Sequence, residues 1–438
     1  MLFDHLAGLV SSGQIADAIS RAVRNGELTQ GAQLPSIRNL AETIGVSPGT
    51  VALAYRSLRE RGVVTTAHGR RARIADRPAL PRPLRVPLPP GVQDLSTSSP
   101  APDLLPDIAA HLTPNLYEPL LYDGPPVEPH LAEIMRDQFA TDGIDGVLTA
   151  VNGALDGMER ILSTWLRPGD AVLVEDPQWV SSLALFSVLG LDIVPVAVDD
   201  EGMIPARLRE ALASRRCSAL VLTPRAQNPS GAALSAERAE ILRGEIAAYP
   251  DLLVIEDDHA GLIAGAPART VTTGRRAWAV IRSMSKALGP DLRVAIMASD
   301  ADTADRVQGR LLIGPGWVSH FSQRLVSAVL ADPEARSAVG HAERTYTLRR
   351  EALIDALATR GIASRGRSGL NVLVPAPEEA PLAAFLLSRG WAVRSGEAFR
   401  LGSRPFLRVS IATLDSERAP ELADAFAEAM RPGDRRAI

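Results

Sequence analysis

The sequence predicts an α/β chain: a large subdomain on a mostly parallel sheet, a small C-terminal α/β subdomain, and a separate helical unit in front. Three observations predict it. From about residue 147, short apolar runs alternate with helical patterns, as in a sheet whose strands are linked through helices. Charge is divided: residues 1–75 hold nine arginines against five carboxylates, a net of +4, so the rest carries −8 in a chain of net charge −4. Between Asp76 and Pro106, prolines at 78, 81, 83, 87, 89, 90, 100, 102 and 106 favour extended, semi-rigid backbone. The expected boundaries are 1–76, a linker at 77–106 that forms no core, and 107–438.

In the front unit, Ile15, Ala18, Ile19, Ala22 and Val23 recur at helical spacing, and Gly26 helps to end that helix. Ser36 caps a second helix that turns Ile37, Leu40, Ala41 and Ile44 inward, and Gly45 makes the turn. Ser47 caps a third with Pro48 at its first position, where a missing N–H costs nothing. Val51, Ala54, Tyr55 and Leu58 form its buried stripe and Gly62 stops it. The segments 63–66 and 72–74 then read as a two-stranded wing with a basic tip at His68-Gly69-Arg70-Arg71. A basic helix-turn-helix on an acidic body points to a polyanion partner for the front end alone. Its third helix suits a DNA major groove, with Ser47, Gly49 and Thr50 at the tip and Arg38, Arg70 and Arg71 toward phosphates or the minor groove. The run from Gly26 to Val64 resembles the GntR-type winged-helix DNA-binding domain across 13–75. One departure is the wing turn, Gly69-Arg70-Arg71 where that family often has Gly-x-Gly.

In the body, AVLVED (171–176), IVPVAV (193–198), ALVLT (219–223), LLVIED (252–257), WAVIRS (278–283) and RVAIMAS (293–299) read as buried strands. LNVLV (370–374) and FLRVSIA (406–412) belong to the small subdomain, which begins near 330. Ligands in such folds gather at strand ends. Lys286 stands out there, the one lysine among 47 basic residues. Chance retention on the surface is one reading. The other is a need for an amine that loses its proton, which arginine cannot supply. Asn152 and Gly153 precede a helix whose free N–H groups suit a phosphate. Trp179 and Asn228 sit in loops after strands, where packing and turn formation alone would also explain them. Asp257, Asp258 and His259 raise the thought of a metal, but no further ligand shares a recognisable spacing.

Taken in order, these segments resemble the fold type I, aspartate-aminotransferase-like domain that binds pyridoxal 5'-phosphate (PLP), over about 110–438. The resemblance implies that Lys286 carries the cofactor as an internal aldimine and that Asp257 pairs with the pyridine nitrogen. It further implies that Trp179 stacks on the ring, that Asn228 bonds the phenolic oxygen, and that Gly153, Ala154, Ser283, Ser285 and Arg293 form the phosphate cup beside Asn152. Arg408 matches the arginine that clamps an amino-acid α-carboxylate, and Tyr122 the segment that reaches the partner's phosphate in dimers. His259 stands where a tyrosine usually bonds the phenolic oxygen. An imidazole there is expected to donate the same bond but to titrate near neutral pH.

A GntR-type unit joined to such a domain looks like the MocR subgroup of bacterial transcriptional regulators. That implies a PLP-responsive regulator binding a double-stranded operator, with an amino acid as a further effector. It also implies a head-to-tail homodimer in which each DNA-binding unit leans on the other chain, and target genes in vitamin B6 or amino-acid metabolism. A working aminotransferase tethered to DNA is the alternative, and a scaffold without cofactor is a third reading. The single Cys217 excludes an intramolecular disulfide and a cysteine metal cluster, and fits a reducing cytosol. No apolar run reaches membrane-spanning length and no signal peptide is recognisable, so a soluble, cytoplasmic protein is expected.

Overall fold

The computed structural model describes residues 11–24, 27–60, 63–65, 71–75, 88–122 and 124–431. Gly26, Gly62, the wing tip from His68 to Arg70 and the prolines at 78–87 lie outside the described residues.

The front unit is built from α1 (Ser12–Arg24), α2 (Ile37–Ile44), α3 (Pro48–Glu60), β1 (Val64–Thr65) and β2 (Arg73–Ile74). The expected caps form. Ser36 Oγ accepts from the Asn39 N–H at 3.2 Å, and Ser47 Oγ from the Thr50 N–H at 3.1 Å. Gly45 closes α2 with φ of 74°, a left-handed value that suits glycine. Ile15, Ile19, Leu40, Val51, Leu58 and Ile74 share one core, and β1 pairs antiparallel with β2. Ile37, expected inward, is exposed because it opens the first turn of α2.

In the body follow β3 (Gln93–Asp94), α4 (Pro129–Thr141), β4 (Val147–Val151), α5 (Ala154–Trp165), β5 (Ala171–Asp176), α6 (Val180–Val188), β6 (Asp192–Asp199), β7 (Gly202–Met203), α7 (Pro205–Ser214), β8 (Ala219–Leu222), α8 (Ala236–Ala247), β9 (Leu253–Asp258), β10 (Trp278–Ser283), β11 (Ala295–Ser299), α9 (Ala301–Leu312), α10 (His320–Ala331) and α11 (Pro333–Thr359). The small subdomain continues through β12 (Asn371–Pro375), α12 (Glu379–Ser388), β13 (Trp391–Ala392), β14 (Arg394–Ser395), β15 (Phe406–Ser410) and α13 (Ala419–Ala429). The eight-stranded sheet runs β4-β11-β10-β9-β8-β5-β6-β7. β6, β5, β8, β9 and β10 are mutually parallel, while β11 is antiparallel to both neighbours and β7 to β6. Both faces are covered. Val172, Val174, Ile255 and Ile281 pack toward α5, and Leu173, Leu220 and Val254 toward α7 and α8. Among the described residues no helix is long and apolar enough to cross a membrane.

One expectation needs correction. The second half of the proposed linker is core, not spacer. Leu95 is fully buried and Ala101 nearly so, β3 pairs in parallel with β13, and the Ala101 N–H donates to the Tyr346 hydroxyl at 3.0 Å. The backbone there is satisfied by the small subdomain, which a run rich in serine and proline does not advertise. Between the front unit and the body, Arg400 Nη1 lies 3.2 Å from Asp17 and Ser57 donates to Glu397 at 2.6 Å.

Candidate functional site

The strand ends of the large subdomain and β15 of the small one bring most of the expected residues together. β9 delivers Asp257 on the face that packs toward α5, and neighbouring β10 ends at Ser283 just before the Lys286 loop. Asp257 is buried and its Oδ1 has no hydrogen-bond partner. Burial, then the charge of Asp258, raises its carboxyl to about 7. Asp258 faces the opposite side. Arg225 grips both its oxygens at 2.8 Å and Arg282 Nε reaches it at 2.7 Å, which holds it ionised, far below the usual carboxylate range. The doublet is therefore not a metal site, and no cluster of metal-ligating side chains occurs among the described residues.

Lys286 is half-buried, and its amine donates to the Ser98 carbonyl. Burial, helped by the positive charge of Arg408, lowers that amine to about 8. A sizeable fraction is then neutral near physiological pH, which a surface lysine would not be. At the start of α5, Gly153 adopts φ of 92°, and a Cβ there would stand 2.5 Å from Arg293 Nη2. Arg293, itself left-handed at φ 52°, donates to the Asn152 carbonyl at 2.8 Å. The Ser285 N–H bonds Ser283 Oγ at 3.2 Å. The helix start and the Arg293 guanidinium thus lie together, a donor set whose chemistry suits a phosphate.

Arg408 on β15 is buried. Nη1 donates to Asn228 Oδ1 at 3.0 Å, Nη2 to the Ser96 carbonyl, and Nε has no partner. Burial foremost and Arg394 next lower its guanidinium to about 9, still protonated at neutral pH. Its guanidinium carbon lies 5.0 Å from the Phe399 ring centre. Because the Asn228 oxygen is occupied, its NH2 is the group left to point at a ligand. Trp179 is partly buried and packs beside Leu373, Phe399 and Phe406. Tyr122 stays outside the cluster, 92% exposed and edge-on to Trp317.

His259 departs from expectation in two ways. Its Nε2 lies 2.9 Å from the Ala226 carbonyl, an acceptor only, so Nε2 carries the proton and Nδ1 is an acceptor rather than a donor. Burial, reinforced by Lys286, lowers its pKa to about 4, so it does not titrate near neutrality. The sequence also left unnoticed the carbonyls of Ser96 and Ser98. Backbone acceptors carry no side-chain signature; the one available hint was the polar run after a buried-looking Leu95.

The unpartnered buried oxygen of Asp257, the Gly153–Arg293 cradle and the partly neutral Lys286 fit a phosphorylated pyridine aldehyde in shape and charge. At the DNA end, Arg38, Gly49 and Arg71 are exposed, and Ser47 and Thr50 are joined through their hydroxyls at 2.8 Å at the tip of α3. Arg70 lies outside the described residues.

Fold and site define a helix-turn-helix protein carrying an aminotransferase-like domain, and comparison with known proteins agrees. Residues 127–426 match the aminotransferase class I and II family, and residues 11–74 the bacterial regulatory proteins of the gntR family. The vitamin B6 salvage pathway transcriptional repressor PtsJ of Salmonella typhimurium is 38% identical over 94% of this chain and 97% of its own. The pyridoxine biosynthesis transcriptional regulator PdxR of Corynebacterium glutamicum is 29% identical over 78% of each. In fold, the kynurenine aminotransferase of Pyrococcus horikoshii superposes with a TM-score of 0.71 at 21% identity, covering 77% of this chain and 90% of that one. The chain belongs to the GntR-family regulators with an aminotransferase class I and II domain, the MocR arrangement.

Proposed function

We propose that the chain regulates transcription by binding an operator with an affinity set by PLP held on Lys286, with an amino acid as a second effector at Arg408. The observation that carries the reading is the buried, unpartnered Asp257 oxygen, a costly feature unless a cationic N–H meets it. When bound, PLP supplies an electron-withdrawing ring able to hold an amine covalently. Asp257 keeps a proton on the ring nitrogen, Asn228 donates to the phenolic oxygen, and Trp179 covers one face. Gly153, Ala154, Ser283, Ser285 and Arg293 hold the phosphate, with Asn152 fixing Arg293. His259 stays neutral beside Lys286 and offers an acceptor there. Arg408 takes an α-carboxylate by giving up the Ser96 carbonyl.

The relatives named above act on vitamin B6 salvage and pyridoxine biosynthesis, and we place this chain's target genes in vitamin B6 metabolism. It acts in the cytoplasm as a homodimer. The exposed apolar side chains of Leu121, Tyr122, Leu312 and Ile313, 73 to 92% accessible, favour a second copy against that face. Tyr122 would then reach the partner's phosphate cup. Arg38, Arg70 and Arg71 contact the DNA backbone, while Ser47, Gly49 and Thr50 approach base edges.

The test is operator binding with and without PLP, for the native chain and for Lys286→Ala. PLP should change operator affinity by roughly 5- to 150-fold in the native chain and not in the variant. Equal affinity in both conditions would sink the proposal. Fast multiple turnover of amino and keto acids would replace it with an enzyme tethered to DNA.

A further inference from the structure

We propose that Asp156 and Arg160 are the positioning pair of the phosphate cradle. Asp156 ties down the chain at Asn152, on which Arg293 is anchored, and Arg160 cancels the charge that this tie would otherwise set against a phosphate. The inference deepens the reading of Gly153, Ala154 and Arg293 as holders of the cofactor phosphate, and it rests on that reading.

Asn152 is held from both sides. Its N–H donates to Asp156 Oδ2 at 3.0 Å, and its carbonyl accepts from Arg293 Nη2 at 2.8 Å. Asp156 is the third residue of α5, close enough for its side chain to turn back over the helix start. Gly153 lies between them at φ of 92°, its own N–H donated to the Val151 carbonyl at 2.8 Å. A shift of the Asn152 peptides therefore carries the Arg293 guanidinium with it, away from the N–H groups of Ala154 and Leu155 that open α5.

Helix capping alone would account for an aspartate at this position. It does not account for Arg160. That side chain is 7% exposed, and its guanidinium closes on both oxygens of Asp156, Nε at 3.0 Å and Nη2 at 2.8 Å. Nη1 is fixed in turn on the Arg310 carbonyl of α9 at 3.3 Å. An exposed pair at this spacing is screened by water and salt; here the cation is mostly out of water and held on a second helix. The carboxylate that ties Asn152 thus stands neutralised beside the cradle. Left alone, it would oppose an incoming phosphate dianion and compete with it for Arg293.

The experiment titrates the full-length protein and its variants with PLP and with pyridoxal, which lacks the phosphate, by absorbance. The readout is the ratio of the pyridoxal to the PLP dissociation constant, and pyridoxal binding itself reports that the site is folded. In Arg160→Met the Asp156 charge is uncancelled, so PLP should bind at least about tenfold more weakly while pyridoxal binds as to the native chain. Adding Asp156→Asn removes the charge but keeps an acceptor for the Asn152 N–H, and should return the ratio to within about threefold of native. Adding Asp156→Ala instead removes charge and tie together, and the ratio should stay at least about fivefold below native. An unchanged ratio in Arg160→Met overturns the charge role, and equal ratios in the two double variants overturn the tie. Parallel losses of PLP and pyridoxal with a lower melting temperature reduce the pair to a helix cap and overturn both. A native chain that binds pyridoxal as tightly as PLP is a different failure: Gly153 and Arg293 then hold no phosphate, and the role of the pair falls with them.

Discussion

Asp257 and Asp258 are consecutive on one strand, yet Asp257 faces the Lys286 side of the sheet with an unpartnered oxygen while Asp258 faces away into two arginines. The two-residue period of a strand separates their tasks. One carboxylate keeps a buried oxygen free of protein partners, as the proposed cofactor contact requires. The other ties together Arg225 and Arg282, and Arg282 continues to Asp142 at 2.6 Å.

Substitution should separate those roles cleanly. Asp257→Asn is expected to weaken PLP by about 10- to 100-fold, the worth of a charge-assisted bond of about 1.5–3 kcal/mol, with little loss of thermal stability. Asp258→Asn is expected to cost about 3–5 kcal/mol of folding stability, because it leaves buried Arg225 without its counter-charge and Arg282 with Asp142 alone. Cofactor titration and chemical denaturation measure the two. A stable Asp258→Asn protein would contradict the assignment.

The cofactor-free protein should lose stability as pH rises from the acid range toward 8. Asp257, at about 7, and Glu175 and Glu256, each at about 8, all titrate above the ordinary carboxylate range because burial penalises their charged forms. A raised carboxyl contributes stability that is complete below its unfolded pKa and is lost as pH rises through its folded one. The loss therefore falls mainly between pH 4 and 8. Glu256, held by the Val271 N–H at 2.6 Å and Thr270 Oγ1 at 3.1 Å, is the simplest probe. Glu256→Gln keeps an acceptor there and removes one titration. Its melting temperature should fall less between pH 6 and 8 than the parent's, by roughly 2–4 °C for each kcal/mol restored. Parallel curves would show that Glu256 does not ionise in that window.

Much of this was legible in the residues, and the illegible part has a common cause. Lys286 was conspicuous because arginine replaces lysine everywhere else, and an amine nucleophile is the one task arginine cannot take over. WAVIRS and AVLVED proved to be β10 and β5 to the residue, since buried parallel strands are continuous apolar runs. The tautomer of His259 was hidden because the Ala226 carbonyl that sets it comes from a different loop. Ser96 and Ser98 were hidden because they act through backbone oxygens, and Arg400 because its partners Asp17 and Glu379 are joined only by folding. Side-chain chemistry shows in a sequence; contacts made by carbonyls or across domains do not.

Gly153→Ala tests the phosphate cradle. The added methyl meets Arg293 Nη2 at 2.5 Å on a backbone at φ 92° that alanine resists, so the guanidinium must move away from the helix start. PLP affinity should fall at least about tenfold, whereas pyridoxal, which lacks the phosphate, should bind as it does to the parent. Equal losses for both ligands, measured by absorbance titration, would mean that the cradle serves another part of the cofactor.

The last prediction concerns how fast PLP is captured. Covalent attachment requires the neutral amine of Lys286, and burial together with the Arg408 charge brings that amine down to about 8. In rapid mixing experiments the capture rate should rise about tenfold between pH 6 and 7, as expected for a group still mostly protonated there, and level off above about 8. Arg408→Met removes the neighbouring positive charge, so the levelling point should move to higher pH while the limiting rate stays similar. A ligand carboxylate bound at Arg408 should move it the same way, which links the effector site to cofactor loading. His259 stays neutral through this range and should leave the profile unchanged when replaced by asparagine. A profile that is flat from pH 6 to 9, or one that shifts on replacing His259 rather than Arg408, would show that another group controls the proton on Lys286.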